Sequence, residues 1–192
     1  MSLQLAFEWP QAPTRRTERL FFAILPDDAT AAWIERCALC WRERLELIGR
    51  VIPARRLHIS LYGLGEHEAL PPMLLEQACR AADAVACAPF DVEFDRCAGF
   101  GGGAIVLYKR CMPALLEFRH RLGIAMKVAP PLAAVVTQRP YTPHVTVLYR
   151  QDARPFEEQP IGPIGWTVRE FVLVQSLVGR ERHIRLGRWP LT

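Results

Sequence analysis

Two runs rich in β-branched residues, Leu57-His58-Ile59-Ser60-Leu61 and Pro143-His144-Val145-Thr146-Val147, set the terms on which this chain folds. Each carries a His-x-Ser/Thr triplet, and the two histidines stand 86 positions apart in a chain of 192 residues. A strand alternates its faces with period 2. Each histidine therefore shares a face with the hydroxyl two residues on, and the aliphatic residue between them takes the other face. Strands of this kind need a core on one side only, the pattern of an antiparallel sheet with a free polar face. Laid side by side, they gather two imidazoles and two hydroxyls on one cleft. Two imidazoles tuned near neutrality serve as an acid and a base on one phosphate.

The remaining segments read in the order β-α-β-α-β-β-α-β-β-β. A continuous apolar run over 19–25 predicts a buried strand, and Pro26-Asp27-Asp28 supplies a turn and a helix cap. A helical pattern then runs over 29–48, with Gly49 in the C-cap position. The first motif strand spans 56–64 and closes at Gly63 and Gly65; a second helix covers 71–85. Strands follow at 90–97 and 104–108, separated by a glycine-rich loop over 99–103, and a third helix covers 113–127. The second motif strand spans 141–149, a Pro/Gly loop 152–165, and strands at 167–178 and 183–189 turn at Gly179-Arg180-Glu181. Strands that succeed one another without an intervening helix point to an α+β fold with antiparallel sheets. Residues 1–18 lack the basic start and apolar stretch of a secretory signal and read as a flexible leader, with one domain over 19–192.

No apolar run reaches the roughly 20 residues that span a bilayer. Half the chain is hydrophobic (51%), enough for a core without disulfide staples. The net charge of +4 comes from residues that are nearly all arginine, suited to phosphate, but no Lys/Arg block of the nucleic-acid-arm type is present. The six cysteines at 37, 40, 79, 87, 97 and 111 supply no four-ligand zinc set. They read as small buried hydrophobes in a reducing cytoplasm. His67, in a polar turn, His120, on a helix, and His183, on a terminal strand, lack the setting of the two triplets and read as solvated.

The chemistry explains the hydroxyls. A Ser or Thr two residues after the histidine donates to a non-bridging phosphate oxygen while the imidazole handles a proton. No metal or other cofactor is called for. At this point the chain resembles the 2H phosphoesterase superfamily, and within it the RNA 2′,3′-cyclic phosphodiesterases, also called 2′-5′ RNA ligases. The resemblance rests on the opening RLFFAILP, the strand LHISLYGLGE, the loop AGFGGG, the segment RPYTPHVTVLYR, and the closing VREFVLVQS and LGRWPL. It implies a bilobal α+β fold in which two antiparallel sheets face a central cleft with helices outside, each sheet contributing one motif.

By position, the resemblance makes His58 and His144 the catalytic pair and has Ser60 and Thr146 hold the phosphate. It implies opening of a 2′,3′-cyclic phosphate at an RNA or nucleotide end to a 2′-phosphate, with His58 protonating the departing 3′ oxygen and His144 activating water. Two departures stand out: Ser60 replaces a commoner Thr, and Tyr149 stands where RNA-acting members carry Arg. Arg150, one residue later, shares a face with His144 by strand parity, and Arg56 shares one with His58. Arg150 either reaches phosphate or is solvated at the strand end. Tyr62, Phe100 and Tyr141 either stack on bases or cap the sheet edges. The expected partners are RNA ends or small nucleotides, with no membrane and a monomeric chain. Rival readings are a phosphodiesterase on another 2′-5′-linked or cyclic nucleotide, and a non-catalytic nucleotide-binding module using the same cleft.

Overall fold

The computed structural model describes residues 17–134, 136, 141–151 and 156–192. Its elements run β1 (Glu18–Ile24), α1 (Asp28–Arg44), β2 (Gly49–Val51), a 3-10 turn (Ala54–Arg56), β3 (Ile59–His67), α2 (Pro72–Asp83) and β4 (Phe90–Phe100). There follow a second 3-10 turn (Gly101–Gly103), β5 (Ala104–Tyr108), α3 (Pro113–Lys127), the short α4 (Pro130–Ala133), β6 (His144–Arg150), β7 (Gln159–Val168), β8 (Glu170–Leu177) and β9 (Arg182–Pro190). Most of the expected leader lies outside the described residues. Its last two positions already belong to the sheet: Glu18 opens β1, and the Thr17 carbonyl accepts from the Val178 N–H.

Local signals account for most helix starts. The Asp27 carboxylate caps α1, accepting from the Thr30 N–H at 2.9 Å and the Thr30 hydroxyl at 2.8 Å. Those bonds hold the Asp27 carboxyl below its ordinary range. Pro72 and Pro113 open α2 and α3 in the first turn, where a missing N–H leaves no bond unmade. The end of α1 departs from the sequence pattern. The helix stops at Arg44, and Gly49 is not its cap but the first residue of β2. A Cβ at Gly49 would lie 2.4 Å from the Tyr149 carbonyl oxygen, so glycine is needed there for close backbone approach.

Every strand pairing is antiparallel, in the order β7-β4-β5-β6-β3-β1-β8-β9, with β2 beside β6. The fold is α+β, one nine-stranded sheet in two halves, β7-β4-β5-β6 with β2 on one side and β3-β1-β8-β9 on the other. β3 and β6 join them through a single register pair, Ile59 against Val145. The segment expected as a Pro/Gly loop contains β7, and its prolines explain both the misreading and its resolution. β7 pairs with β4 alone, and an edge strand has a row of N–H groups that need no partner, so Pro160 and Pro163 fit there. The long strand expected over 167–178 divides at Arg169 into the end of β7 and the start of β8. The first motif strand starts at Ile59 rather than Arg56 and runs on to His67, past Gly63 and past Gly65 in the left-handed region at φ +106°.

The helices cover one face of the sheet. Phe22, Ile24 and Ile59 from the strands meet Ile34 of α1 and Leu115, Phe118 and Leu122 of α3 in one continuous core. The opposite face carries two small clusters, Ala98, Ala104, Val106 and Tyr108 on one half, and Ala23, Val172 and Val174 on the other. Of the cysteines only Cys97 is buried in that core; Cys40 and Cys111 are exposed, and all six are free thiols. Among the described residues no helix is long and apolar enough to cross a membrane.

Ile59 is fully buried at the one pair that joins the halves. Ile59→Ala is expected to lower the unfolding free energy by about 2–5 kcal/mol, read from urea unfolding. Val178→Ala, at a position 39% exposed, is the control and is expected to stay within about 0.5 kcal/mol of the parent.

Candidate active site

β3 and β6 each carry one extra residue just past their triplet. Against β1, Ser60 pairs with Ala23 and Tyr62 with Phe22, which leaves Leu61 unmatched. Against β5, Thr146 pairs with Val106 and Leu148 with Ile105, which leaves Val147 unmatched. A bulge of this kind shifts the alternation by one, so two consecutive residues face the same way. Leu61 and Tyr62 are both buried on the helix side, as are Val147 and Leu148. The cleft face resumes five positions after each histidine, at Gly63 and at Tyr149, the latter 45% exposed.

The two bulges revise the parity expectations. Tyr149 lines the cleft and Arg150 does not. Tyr62 leaves the cleft altogether: it is 6% exposed beneath α3, with its hydroxyl donating to the Arg119 carbonyl at 3.2 Å. Gly123 makes room for that ring, since a Cβ there would lie 2.5 Å from the hydroxyl. Tyr141 reaches across from the other motif, its hydroxyl donating to the Ser60 carbonyl at 2.7 Å. The Arg119 guanidinium lies over both rings, 4.2 Å from the Tyr62 centroid and 4.0 Å from that of Tyr141, and its Nε–H donates to the Leu61 carbonyl at 3.1 Å. Both tyrosines thus clamp the motif strands to α3 around one guanidinium. Burial raises the pKa of both phenols.

What remains on the cleft face comes together. His58, Ser60, His144 and Thr146 line one cleft of about 280 Å³ with Phe21, Arg56, Tyr149 and His183. The two histidines are held alike. His58 Nδ1 lies 2.7 Å from the Arg56 carbonyl and His144 Nδ1 2.7 Å from the Thr142 carbonyl, each two residues back. A carbonyl only accepts, so each Nδ1 is the N–H, and the neutral ring presents Nε2 as an acceptor. A phenylalanine backs each ring: Phe21 at 5.0 Å from His58 and Phe100 at 5.1 Å from His144, centroid to centroid. Phe100 is therefore packed against an imidazole and against Tyr108. The glycine run beside it is a continuation of β4 and a single 3-10 turn. In that turn Gly103 holds φ +76° close to the Arg150 carbonyl.

Two residues of the cleft escaped or exceeded the sequence reading. His183 is only partly exposed: its ring sits 5.3 Å from that of His58 and 5.7 Å from that of Phe21. It opposes Ser176 across the β8–β9 hairpin, and only that hairpin's folding onto β1 brings it to the cleft. Arg56 enters from the 3-10 turn ahead of β3, its Nε and Nη1 buried without a hydrogen-bond partner among the described residues. Burial lowers the pKa of His58; the hydrogen bond to the Arg56 carbonyl works against that, and the Arg56 charge and a proton on His144 add to it. Burial, with His58 and Arg56 nearby, pushes the His183 imidazole down to about 4. Among the described residues no group of three or more His, Cys, Asp or Glu is placed to hold a metal ion.

The chain has counterparts among known proteins. Residues 26–180 match the family model of the 2′-5′ RNA ligase superfamily. A crystal structure of E. coli LigT complexed with 3′-AMP superposes with a TM-score of 0.70 at 27% identity, covering 92% of this chain and 99% of that one. A structure described as a phosphoesterase gives 0.70 at 26% identity, covering 91% and 99%. TT0787 of Thermus thermophilus gives 0.73 at 19% identity over 90% and 97%, a likeness of fold. No curated protein matches the chain.

The His183 position carries a pH test. A pKa lowered to about 4 in the folded state, against an ordinary 6.5, means the unfolded chain holds more protons between those values. The stability due to a neutral His183 is complete above pH 6.5 and drains away as the pH falls toward 4. His183→Phe is expected to gain stability relative to the parent between pH 7 and about 4.5, read from urea midpoints. In the parent, the His183 Hε1 resonance is expected to titrate with a midpoint of about 4.

Proposed function

The chain belongs to the 2′-5′ RNA ligase superfamily of 2H phosphoesterases, and from that premise we propose that it hydrolyses 2′,3′-cyclic phosphodiesters at RNA or nucleotide ends. The observation that carries this is the matched tethering of His58 and His144. Both Nδ1 atoms are tied to the carbonyl two residues back, which leaves two Nε2 atoms for proton transfer in one cleft. One imidazole takes the proton of the attacking water as its oxygen bonds to phosphorus. The P–O3′ bond breaks, and the other imidazole, which enters the step as the imidazolium with a proton on Nε2, protonates the departing 3′ oxygen and becomes neutral, leaving a 2′-phosphate and a 3′-hydroxyl. The Ser60 and Thr146 hydroxyls donate to the non-bridging oxygens, where negative charge grows in the transition state.

The scheme needs two proton-transfer groups and polar donors, and the residues of the cleft supply both without a metal ion. E. coli LigT has been solved with 3′-AMP, with ATP and with NADP+, which fits a nucleotide as the ligand class here. Tyr149, at the rim and 45% exposed, offers a ring face to a base; Tyr62 and Tyr141 are engaged by Arg119. Both motifs come from one chain, so we read the working unit as a monomer. The six free thiols fit a reducing cytoplasm.

Turnover of 2′,3′-cyclic nucleotides and of a cyclic-phosphate-ended oligoribonucleotide is expected in EDTA. His58→Ala and His144→Ala should each lower kcat/KM by about 10²–10⁴-fold. The kcat/KM profile is expected to be bell-shaped, with the limb that reports His58 lying below the ordinary 6.5. Activity that requires added metal, or that survives either substitution, overturns the scheme. Binding without turnover of any 2′- or 3′-linked phosphodiester supports a binding module instead.

A further inference from the structure

We propose that the Arg56 guanidinium is an anion clamp of this cleft, contacting the non-bridging oxygens of the reacting phosphate alongside Ser60 and Thr146. This rests on the phosphodiester reading given above and assigns the positive charge that the reading leaves unassigned.

The case begins with unmet donors. Arg56 Nε and Nη1 are buried and have no hydrogen-bond partner among the described residues, although guanidinium N–H groups are obligate donors. Burying such a group unpaired is costly, and apolar residues of similar size avoid that cost. The other charged groups nearby make the position worse rather than better. Arg50 and Arg55 add positive charge close by, and among the described residues no carboxylate lines the cleft. Arg19, the other arginine of the cleft wall, is matched by Glu66 at 2.7 Å, and Arg50 is paired with Glu181. Arg56 is thus a cation in the cleft wall with two repulsive cations nearby, and among the described residues Tyr149 is the one titratable neighbour that acts the other way.

Its placement is as informative as its lack of partners. The Arg56 carbonyl accepts the His58 Nδ1–H at 2.7 Å, so the backbone that orients the imidazole also fixes the root of the guanidinium. The 3-10 turn Ala54–Arg56 is itself anchored, the Ala54 N–H donating to the Glu35 carboxylate at 2.9 Å. A guanidinium rooted this way is pre-organised, and an incoming phosphate supplies both the missing acceptors and the missing counter-charge. With Tyr149 on the cleft wall and Arg150 off it, this charge role falls to Arg56.

The test sets stability against binding in the full-length protein. Thermal unfolding is measured with and without inorganic phosphate for the parent, Arg56→Met, Arg56→Lys and the exposed neighbour Arg55→Gln. Phosphate is expected to raise the melting temperature of the parent and of Arg55→Gln by mass action. Arg56→Met is expected to melt at or above the parent without phosphate, because two buried donors without partners are gone, and to lose the phosphate response. Arg56→Lys, which keeps the charge, retains part of it. On 2′,3′-cyclic nucleotides, kcat/KM is expected to fall by about 10²–10³-fold in Arg56→Met. Arg56→Met that melts below the parent without phosphate makes the guanidinium a structural anchor and overturns the inference. So does a variant that keeps the phosphate response and parental turnover, which leaves the reaction itself standing. A parent that responds to phosphate through Arg56 yet turns over no cyclic nucleotide sinks the reaction and leaves the clamp.

Discussion

One antiparallel pair, Ile59 against Val145, holds the two halves of this sheet together at their centre. Both residues are fully buried on the helix side, so the pair is sealed by the core. The residues flanking it project to the other face, and in an antiparallel register these are His58 and Ser60 on one strand and His144 and Thr146 on its neighbour. The gathering of these side chains in one cleft is thus a direct product of the joint. Whatever opens the sheet there separates the imidazoles, and the α3 clamp acts at the same point. Arg119 grips Tyr62 from one motif strand and Tyr141 from the approach to the other.

Symmetry of construction runs through the site. Each triplet sits in a strand with a bulge immediately after the hydroxyl. Each histidine ties Nδ1 to the carbonyl two residues back, and each ring rests on a phenylalanine. The surroundings then break the symmetry. His58 has a third imidazole, His183, against it and a guanidinium attached to the carbonyl it uses, whereas His144 lies beside Phe100 and Tyr108. Two chemically matched groups in unlike fields are what an acid and a base require.

Much of this was legible from residue order. The triplets, their strands, the α+β class, the cap at Asp27 and the hairpin at Gly179-Arg180-Glu181 all follow from local preferences that the structure retains. The misreadings share a cause as well. β7 looked like a loop because Pro160 and Pro163 are forbidden in a central strand, and nothing in the segment says that it lies at an edge. Strand parity puts Arg150 on the face of His144, and that count fails by one at Val147; the matching bulge at Leu61 turns Tyr62, a stacking candidate by residue type, away from the cleft. A bulge is a property of a pair of strands, so it cannot be counted along one of them.

The amino-acid order by itself determined two imidazoles, each sharing a face with a hydroxyl two residues on, in strands that must bury their aliphatic faces. It determined this because strand periodicity and apolar burial act locally. Tertiary structure alone decided that His183 joins them, that Arg56 does so with two donors unpaired, that Tyr149 rather than Arg150 faces the cleft, and that Tyr62 and Tyr141 brace the strands. Those outcomes depend on register, on bulges and on which distant segments meet. They are settled by packing between strands far apart in the chain, for which a linear reading has no coordinate.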